Sequence, residues 1–206
     1  MYMKDPMSIE NTSMDIIEEV MKDTCFCDEE KTVVKRMIHT TGDFDYRNIT
    51  VFRNNFLEAA LNIIKSGKAI FTDTKMASMG INKKALMKAG CSLRCYIGDE
   101  DVFKEARKRK TTRSACAVEK AVSEGIDVFV LGNAPTALFR LLELVEDKKV
   151  FPGFIVGVPV GFVGAEESKE CLRKYNIPSI STIGTKGGSN VAASIVNALL
   201  YMAVGR

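Results

Sequence analysis

Apolar residues in the first third of the chain recur at the three- and four-residue spacing of amphipathic helices. This pattern predicts helices over residues 5–23, 29–40 and 52–64. The second helix would present one apolar face, made of Val33, Val34, Met37 and Ile38. Gly42 is placed to end it, because glycine readily takes the left-handed conformation that follows a helix. The N-terminal part is therefore expected to be helical.

From residue 69 onward the pattern changes to short apolar runs, each followed by a turn and an amphipathic segment. The runs, predicted as strands, cover residues 69–71, 93–97, 126–131, 153–158 and 180–183. The segments, predicted as helices, cover residues 83–88, 102–123, 136–146, 166–175 and 191–204. Strands that alternate with helices indicate an α/β fold with right-handed crossovers. We expect an open, mainly parallel sheet with helices on both faces, in a single domain over residues 1–206.

Each predicted strand is followed by a loop of small and polar residues. These loops cover residues 72–74, 98–100, 132–136, 157–159 and 184–190. In open parallel sheets, ligands bind outside the carboxyl ends of the strands. The sequence therefore predicts a ligand crevice bordered by these five loops.

Composition and charge narrow the class of protein. Hydrophobic residues make up 46% of the 206 residues and charged residues 27%, which is typical of a globular protein and excludes a disordered chain. The net charge of +3 is too small to indicate nucleic acid, although it allows a local basic site for an anionic ligand. No apolar run reaches the roughly 18 residues that a membrane span needs, and the polar N-terminus predicts no export signal. We expect a cytoplasmic protein.

The six cysteines are expected to be reduced thiols in that compartment. They are Cys25, Cys27, Cys91, Cys95, Cys116 and Cys171. The chain has a single histidine and no Cys-x-x-Cys pair, so the spacings that are typical of zinc sites do not occur. We predict no metal site.

His39 is the only imidazole in the chain, and imidazole can give and take protons near neutral pH. Arg36 lies three residues earlier, so on a helix the two side chains would share a face. Together they would offer a proton donor beside a fixed cation. The alternative is that His39 only interacts with the last carbonyl groups of its helix, and the spacing leaves both interpretations open.

The glycine-rich loop over residues 184–190 precedes the last predicted helix. Backbone N–H groups at a helix start, next to Lys186, can bind an anion. The loop matches neither a P-loop nor a dinucleotide-binding fingerprint, which disfavours a nucleotide-binding domain. The alternative is a plain glycine turn in which Ser189 or Asn190 caps the helix.

The most basic stretch covers residues 104–113, and such a stretch is usually a solvated helix face. A nucleic-acid site would interleave aromatic side chains, and none lies between Phe103 and Phe129. Arg113 is the exception, because the chain turns apolar directly after it and its side chain could point into a cleft. Asp43 and Asp45 form a close carboxylate pair, which we interpret as turn chemistry.

Six motifs, in order along nearly the whole chain, resemble those of the precorrin-8X methylmutase family. The first two are Pro6-x-x-Ile9-Glu10-x-x-Ser13 and Arg36-Met37-Ile38-His39-Thr40-Thr41-Gly42-Asp43. The next two are Asp73-x-x-Met76-x-x-x-Gly80-Ile81 and Thr112-Arg113-Ser114-Ala115. The fifth comprises residues 132–138 with the run at 157–169, and Lys186-Gly187-Gly188-Ser189 closes the set. Six motifs in the right order are far more specific than one glycine loop.

The resemblance implies an isomerase of cobalamin biosynthesis that moves a methyl group from C-11 to C-12 of precorrin-8 or cobalt-precorrin-8. The product would be hydrogenobyrinic acid, or cobyrinic acid when the ring holds cobalt. The family's catalytic histidine corresponds to His39. The residues expected to bind substrate are Ser13, Arg36, Thr40, Thr41, Arg113, Asn133, Lys186, Gly187, Gly188 and Ser189. A sigmatropic shift needs no nucleophile and no redox cofactor, so none is expected.

The family also forms homodimers with the active site near the subunit interface, so a homodimer is expected. It commonly has more arginine around the last motif, where Ile183 and Thr185 flank Gly184 in this chain. A non-catalytic tetrapyrrole carrier with the same fold is the alternative function, and His39 beside Arg36 favours the enzyme. The sequence leaves open whether the substrate contains cobalt, with the unpaired cysteines favouring the cobalt route weakly.

Overall fold

A six-stranded sheet forms the centre of the computed structural model, which describes residues 4–205. The strands are β1 (Thr50–Arg53), β2 (Ala69–Thr72), β3 (Ser92–Arg94), β4 (Val128–Leu131), β5 (Phe154–Gly157) and β6 (Ser179–Thr182). Their order is β1-β6-β5-β4-β2-β3. β1 runs antiparallel to β6, and all other neighbours are parallel. The predicted mainly parallel sheet is confirmed.

Eleven helices occur within the described residues. The first six are α1 (Pro6–Met21), α2 (Asp28–Thr41), α3 (Tyr46–Ile49), α4 (Phe56–Lys65), α5 (Lys75–Gly80) and α6 (Lys83–Lys88). The remaining five are α7 (Glu100–Arg109), α8 (Arg113–Ser123), α9 (Pro135–Glu146), α10 (Ala165–Leu172) and α11 (Ser189–Val204). None of these helices is long and apolar enough to cross a membrane.

The sheet separates two apolar cores, because successive side chains of a strand point to opposite faces. On one face, Val128 and Val130 of β4 pack with apolar residues of α1, α2, α4, α6 and α11. On the other face, Phe129 and Leu131 of the same strand pack with α7, α8, α9 and α10. The N-terminal helices α1 and α2 therefore extend the first layer, and both faces of the sheet are covered, as predicted.

The predicted helix over residues 52–64 is wrong at its start. Residues Thr50–Arg53 form β1, and the helix begins only at Phe56. Between them, Asn54 and Asn55 adopt left-handed backbone conformations with φ of 54° and 52°. Asparagine tolerates this region better than most residues, and two such residues end the strand and reorient the chain. The extra strand matters for function, because its antiparallel direction brings its first residue to the carboxyl edge of the parallel strands.

The single helix predicted over residues 102–123 is also wrong. The chain forms α7 and α8 instead, and Lys110 between them has a φ of 53°. The side chain of Thr112 then accepts a hydrogen bond from the backbone N–H of Ala115, which caps α8. Arg113 is consequently the first residue of a helix and not part of a long basic face. The short helices α3 and α5 were not predicted.

Candidate functional site

The loops at the carboxyl ends of four parallel strands are joined into one rim. The hydroxyl of Thr74, after β2, lies 2.8 Å from the hydroxyl of Ser189, after β6. The N–H of Gly188 donates to the carbonyl of Val158, after β5, at 2.9 Å. The N–H of Val160 donates to the carbonyl of Gly132, after β4, at 3.3 Å. Four of the five predicted crevice loops thus adjoin one another along this edge, and these bonds do not include the loop over residues 98–100.

The C-terminal end of α2 reaches the same edge because β1 is antiparallel to β6 and pairs Thr50 with Thr182. The loop before β1 is therefore held against the last glycine loop. The Lys186 amine donates to the Asp43 carboxylate at 2.6 Å and lies 3.1 Å from that of Asp45. These bonds connect the end of α2 with the rim.

His39 lines an open groove of about 290 Å³ at this end of α2. The other lining residues, from α1, α2 and the loop that follows, are Ser13, Ile16, Ile17, Ile38, Gly42 and Phe44. His39 itself is exposed, and its imidazole has no hydrogen bond to any of residues 4–205. The Ser13 hydroxyl donates to the Ile9 carbonyl at 2.8 Å, which leaves its oxygen free to accept. The groove thus combines apolar walls with one unbonded imidazole.

Gly42 ends α2 as predicted. It has a φ of 66°, and its N–H donates to the Ile38 carbonyl at 2.8 Å. Thr41 stabilises the same helix end, since its hydroxyl donates to the Met37 carbonyl at 2.8 Å. Thr40 is exposed beside His39. His39 therefore lies in the last turn of α2, next to the carbonyl groups that end the helix.

Arg36 lies one helical turn before His39 but does not line the same groove. Its guanidinium is 3.8 Å from the Glu10 carboxylate and 5.2 Å from the centre of the Tyr201 ring. Both charged side chains are about one-fifth exposed. The predicted pair is therefore adjacent along α2, with Arg36 held over an aromatic ring and His39 open to the groove.

Lys186 is not the free cation that the predicted anion site requires. Asp43 and Asp45 surround its amine, and they raise its pKa while their own pKa values are lowered by the same hydrogen bonds. The Asp43 carboxylate accepts the Asp45 N–H at 2.9 Å, as turn chemistry predicts, and the two carboxylates bind Lys186 in addition. With two negative charges against one positive, this segment holds the rim together and does not by itself attract anions.

The glycine pair at residues 187–188 is required by close packing. A Cβ added to Gly187 would lie 2.1 Å from the Val158 carbonyl oxygen, so no side chain fits there. Gly188 is the N-cap of α11, so the alternative in which Ser189 or Asn190 caps the helix is wrong. Ser189 is 7% exposed, and its hydroxyl is hydrogen-bonded to that of Thr74. These three residues position the rim, and little of their surface reaches solvent.

Asp73 is a buried carboxylate at the point where the strand order reverses, between β2 and β4. It is 1% exposed and accepts the backbone N–H groups of Gly132, Asn133 and Ala134 at 3.0, 2.8 and 2.8 Å. Burial raises its pKa, and the three backbone hydrogen bonds oppose that shift. The carboxylate thereby fixes the loop that presents the exposed Asn133 side chain.

Lys169 of α10 is a fully buried lysine beneath the last glycine loop. Its amine donates to the Lys186 carbonyl at 2.8 Å and to the Thr182 hydroxyl at 3.1 Å. Burial, together with the Arg173 cation, lowers the pKa of Lys169 to about 8. The ammonium therefore connects β6 to the loop, at an electrostatic cost.

The lowered pKa of Lys169 predicts that the stability of the fold depends on pH. The folded pKa of Lys169 is about 8 and its ordinary value 10.5, so between these pH values the unfolded chain binds more protons. The free energy of unfolding of wild type, relative to a Lys169→Met variant, should rise from pH 8 to 10.5 by roughly 3 kcal/mol. Urea unfolding at several pH values measures this difference. The exposed Lys174→Met variant is the control, and a wild-type curve parallel to that of Lys169→Met would contradict the prediction.

Arg113 lies on the opposite face of the sheet from His39, because α8 packs in the second core and α2 in the first. Arg113 is exposed and lines a separate groove of about 430 Å³ with Phe103 and Lys104 of α7. The hydroxyls of Thr112 and Thr136 lie 2.9 Å apart and join the start of α8 to that of α9. Arg113 therefore adjoins the loop of Asn133, and the structure does not bring it into the His39 groove.

Sequence reasoning missed the structural roles of Asp73 and Lys169 in holding the loops of the rim. Both occur in the quoted motifs, but nothing in their local sequence marks them as buried. Asp73 follows an apolar run and precedes Thr74, and an acid directly after a buried strand is a signal that could have found it. Among residues 4–205, no group of three or more His, Cys, Asp or Glu side chains is arranged to hold a metal ion.

Comparisons with known proteins agree on one family. The family model described as precorrin-8X methylmutase matches residues 8–202. Cobalt-precorrin-8 methylmutase of Salmonella typhimurium is 46% identical, over 97% of this chain and 97% of that protein. Cobalt-precorrin-8 methylmutase of Leptospira interrogans is 42% identical, over 95% and 93%. The solved precorrin-8X methylmutase of Thermus thermophilus superposes with a TM-score of 0.88 at 34% identity and covers 96% of each chain.

Proposed function

The chain belongs to the precorrin-8X methylmutase family, and on that premise we propose that His39 carries out proton transfer on a cobalt-containing tetrapyrrole. The protein is an isomerase that catalyses a methyl migration in cobalamin biosynthesis. The observation that carries the proposed role of His39 is an unbonded imidazole in an apolar-walled groove between α1 and the end of α2. Both relatives described above act, by their names, on cobalt-precorrin-8, which favours the cobalt substrate.

In the proposed mechanism, protonated His39 donates its proton to the conjugated ring. The ring then withdraws electrons from the bond between C-11 and its methyl group. That bond breaks as the bond between the methyl group and C-12 forms, and the ring returns the proton to His39. Atoms and charge balance, as an isomerisation requires. Holding the ring in one geometry would add to the rate, because positioning lowers the entropic part of the barrier.

We propose that Ser13 contacts the ring within the His39 groove, that the exposed Thr40 contacts it beside the groove, and that Arg36, Asn133 and Arg113 bind carboxylates at the ring's periphery. Lys186, Gly187, Gly188 and Ser189 border the site, and Thr41 supports the helix end. Arg113 and His39 lie on opposite faces of the sheet. Arg113 would therefore reach only a ring substituent that extends over the edge of the sheet, or a ring bound in the site of a second subunit.

Loss of Arg36 should weaken binding of the product, cobyrinic acid. Its carboxylates are ionised at neutral pH and lose water on binding, which is costly unless each meets a donor. Replacing Arg36 with alanine should cost about 1.5–3 kcal/mol, or roughly ten- to a hundredfold in Kd, with the loss smaller at high salt. Titrations at two salt concentrations measure this. The exposed Lys108→Ala variant is the matched control, and an equal loss in both variants would place the crevice elsewhere.

We propose that the protein acts as a homodimer whose active sites lie near the subunit interface. The motifs of the family and the apolar N-terminal layer of α1 and α2 support this. Exposed apolar side chains on α1, including Ile9 and Ile16, are available for such a contact. Sedimentation should give a dimer at micromolar concentration, and a fully active monomer would refute the proposal.

A cytoplasmic location fits the cysteines, since all six are unpaired thiols in the structure. We propose no nucleic-acid partner, because the basic stretch around α7 is interrupted by acidic partners. Arg109, for example, is paired with Glu119 and lies 3.9 Å from Glu105.

The experiment that separates an isomerase from a tetrapyrrole carrier is incubation with cobalt-precorrin-8 and, in parallel, with the metal-free precorrin. We expect the visible spectrum of the rearranged chromophore, formed faster from the cobalt substrate. A spectrum that shifts on binding and then stays constant would identify a carrier.

A further inference from the structure

We propose that Phe162 and Val163 cover one face of the macrocycle when substrate is bound, an inference that rests on the proposed function. The two side chains are 94% and 89% exposed, more than any other large apolar residues in the described chain. Both lie at the tip of one loop, over residues 158–164. Exposed apolar residues that adjoin one another, unlike those scattered singly, are a feature of binding sites.

The base of this loop is fixed, although its tip is open. The N–H of Val158 donates to the Leu131 carbonyl at 2.9 Å, and that of Gly161 donates to the Thr185 carbonyl at 3.1 Å. At its other end, Ala165 begins α10 and is fully buried. Phe162 and Val163 are therefore presented from an anchored base at the carboxyl edge of the sheet.

The loop is continuous with the His39 side of the rim. Thr185, which accepts the N–H of Gly161, is followed by Lys186, and the Lys186 amine is bonded to Asp43. Asp43 comes four residues after His39 at the end of α2. A flat ligand that extends from His39 across the last glycine loop would meet the loop over residues 158–164 along its border.

The chemistry of a tetrapyrrole indicates which part of it lies against this loop. A tetrapyrrole is flat, with apolar conjugated faces and carboxylates confined to its periphery. An aromatic ring and a branched aliphatic side chain suit such a face, since aromatic surfaces stack on conjugated rings and both exclude water. The tip carries no charge of its own that would bind a carboxylate. The macrocycle face therefore fits this loop better than the periphery does.

The test compares two phenylalanines on opposite edges of the sheet. Phe151, 76% exposed, precedes β5, whereas Phe162 follows it. Phe162→Ser should weaken cobyrinic acid binding roughly tenfold or more and raise KM with kcat nearly unchanged, because the contact serves ground state and transition state alike. Phe151→Ser should bind as wild type does, and Phe162→Leu should recover most of the affinity.

Sedimentation of the same variants completes the test. The proposal is upheld when Phe162→Ser keeps the wild-type assembly state and melting temperature and loses affinity. It is overturned when Phe162→Ser and Phe151→Ser bind alike, or when Phe162→Ser changes the assembly state, since the loop would then be a subunit contact. Failure of wild type to bind or convert the tetrapyrrole would remove the proposed function itself, which is a distinguishable result.

Discussion

Replacing His39 with alanine should lower kcat by about 100-fold or more and leave the fold intact. Proton transfer by a positioned side chain is typically worth 100- to 10,000-fold, and the chain has no other imidazole to substitute. Because His39 is exposed and has no hydrogen bond within residues 4–205, its loss should change the free energy of unfolding by about 1 kcal/mol or less. Single-turnover kinetics with cobalt-precorrin-8 and a urea unfolding curve measure both quantities.

The His39→Asn variant separates shape from protonation. Asparagine keeps a polar side chain in the groove but cannot exchange a proton near neutral pH, so binding of cobyrinic acid should persist while turnover is lost. Turnover of His39→Ala within about tenfold of wild type would remove general acid catalysis from the mechanism.

Replacing Asp73 with alanine should destabilise the protein by about 3 kcal/mol or more. The carboxylate is 1% exposed, and its loss leaves the N–H groups of Gly132, Asn133 and Ala134 without their acceptor. Each buried unsatisfied donor costs about 1–3 kcal/mol, and water that enters the space would recover part of the sum. For a chain of this length the melting temperature should fall by about 6–12 °C.

The control for Asp73 is Asp101→Ala. Asp101 is exposed and lies 2.7 Å from the Lys120 amine, and a surface ion pair contributes at most about 1 kcal/mol. Calorimetry on both variants should show a large loss for the first and a small one for the second. Equal melting temperatures in the two variants would show that the hydrogen bonds of Asp73 do not hold the loop.

After residue 69 the strands could be predicted because each is a short apolar run bounded by turn residues, and the helices between them could be predicted apart from α5 and the break between α7 and α8. β1 could not, since Thr50–Arg53 adjoins an amphipathic helix and the apolar pattern is continuous across both. The Asn54-Asn55 pair was the available signal of a break. The separation of α7 from α8 depends on one left-handed residue, Lys110, and lysine is a poor indicator of that conformation.

The expectation of a site at the carboxyl edge came from the predicted parallel sheet, and the proposed site residues came from the family motifs. The sequence could not predict which residues that are far apart in the chain would pair in the folded structure. The Lys186 amine is bonded to Asp43, 143 residues away in the sequence, and the sequence did not indicate that this carboxylate would already engage it. Likewise, α2 and α8 are both amphipathic, so the pattern alone does not place His39 and Arg113 on opposite faces of the sheet.

The most direct test of the methyl migration at the His39 site uses cobalt-precorrin-8 with a carbon-13 label in the methyl group at C-11. Isomerisation leaves the mass unchanged, so the position of the label must be read by NMR. Wild type should give a product in which the labelled methyl group is bonded to C-12, and His39→Ala should leave it at C-11 while binding the ring. A label that stays at C-11 with wild type, or that moves equally fast with His39→Ala, would contradict the account.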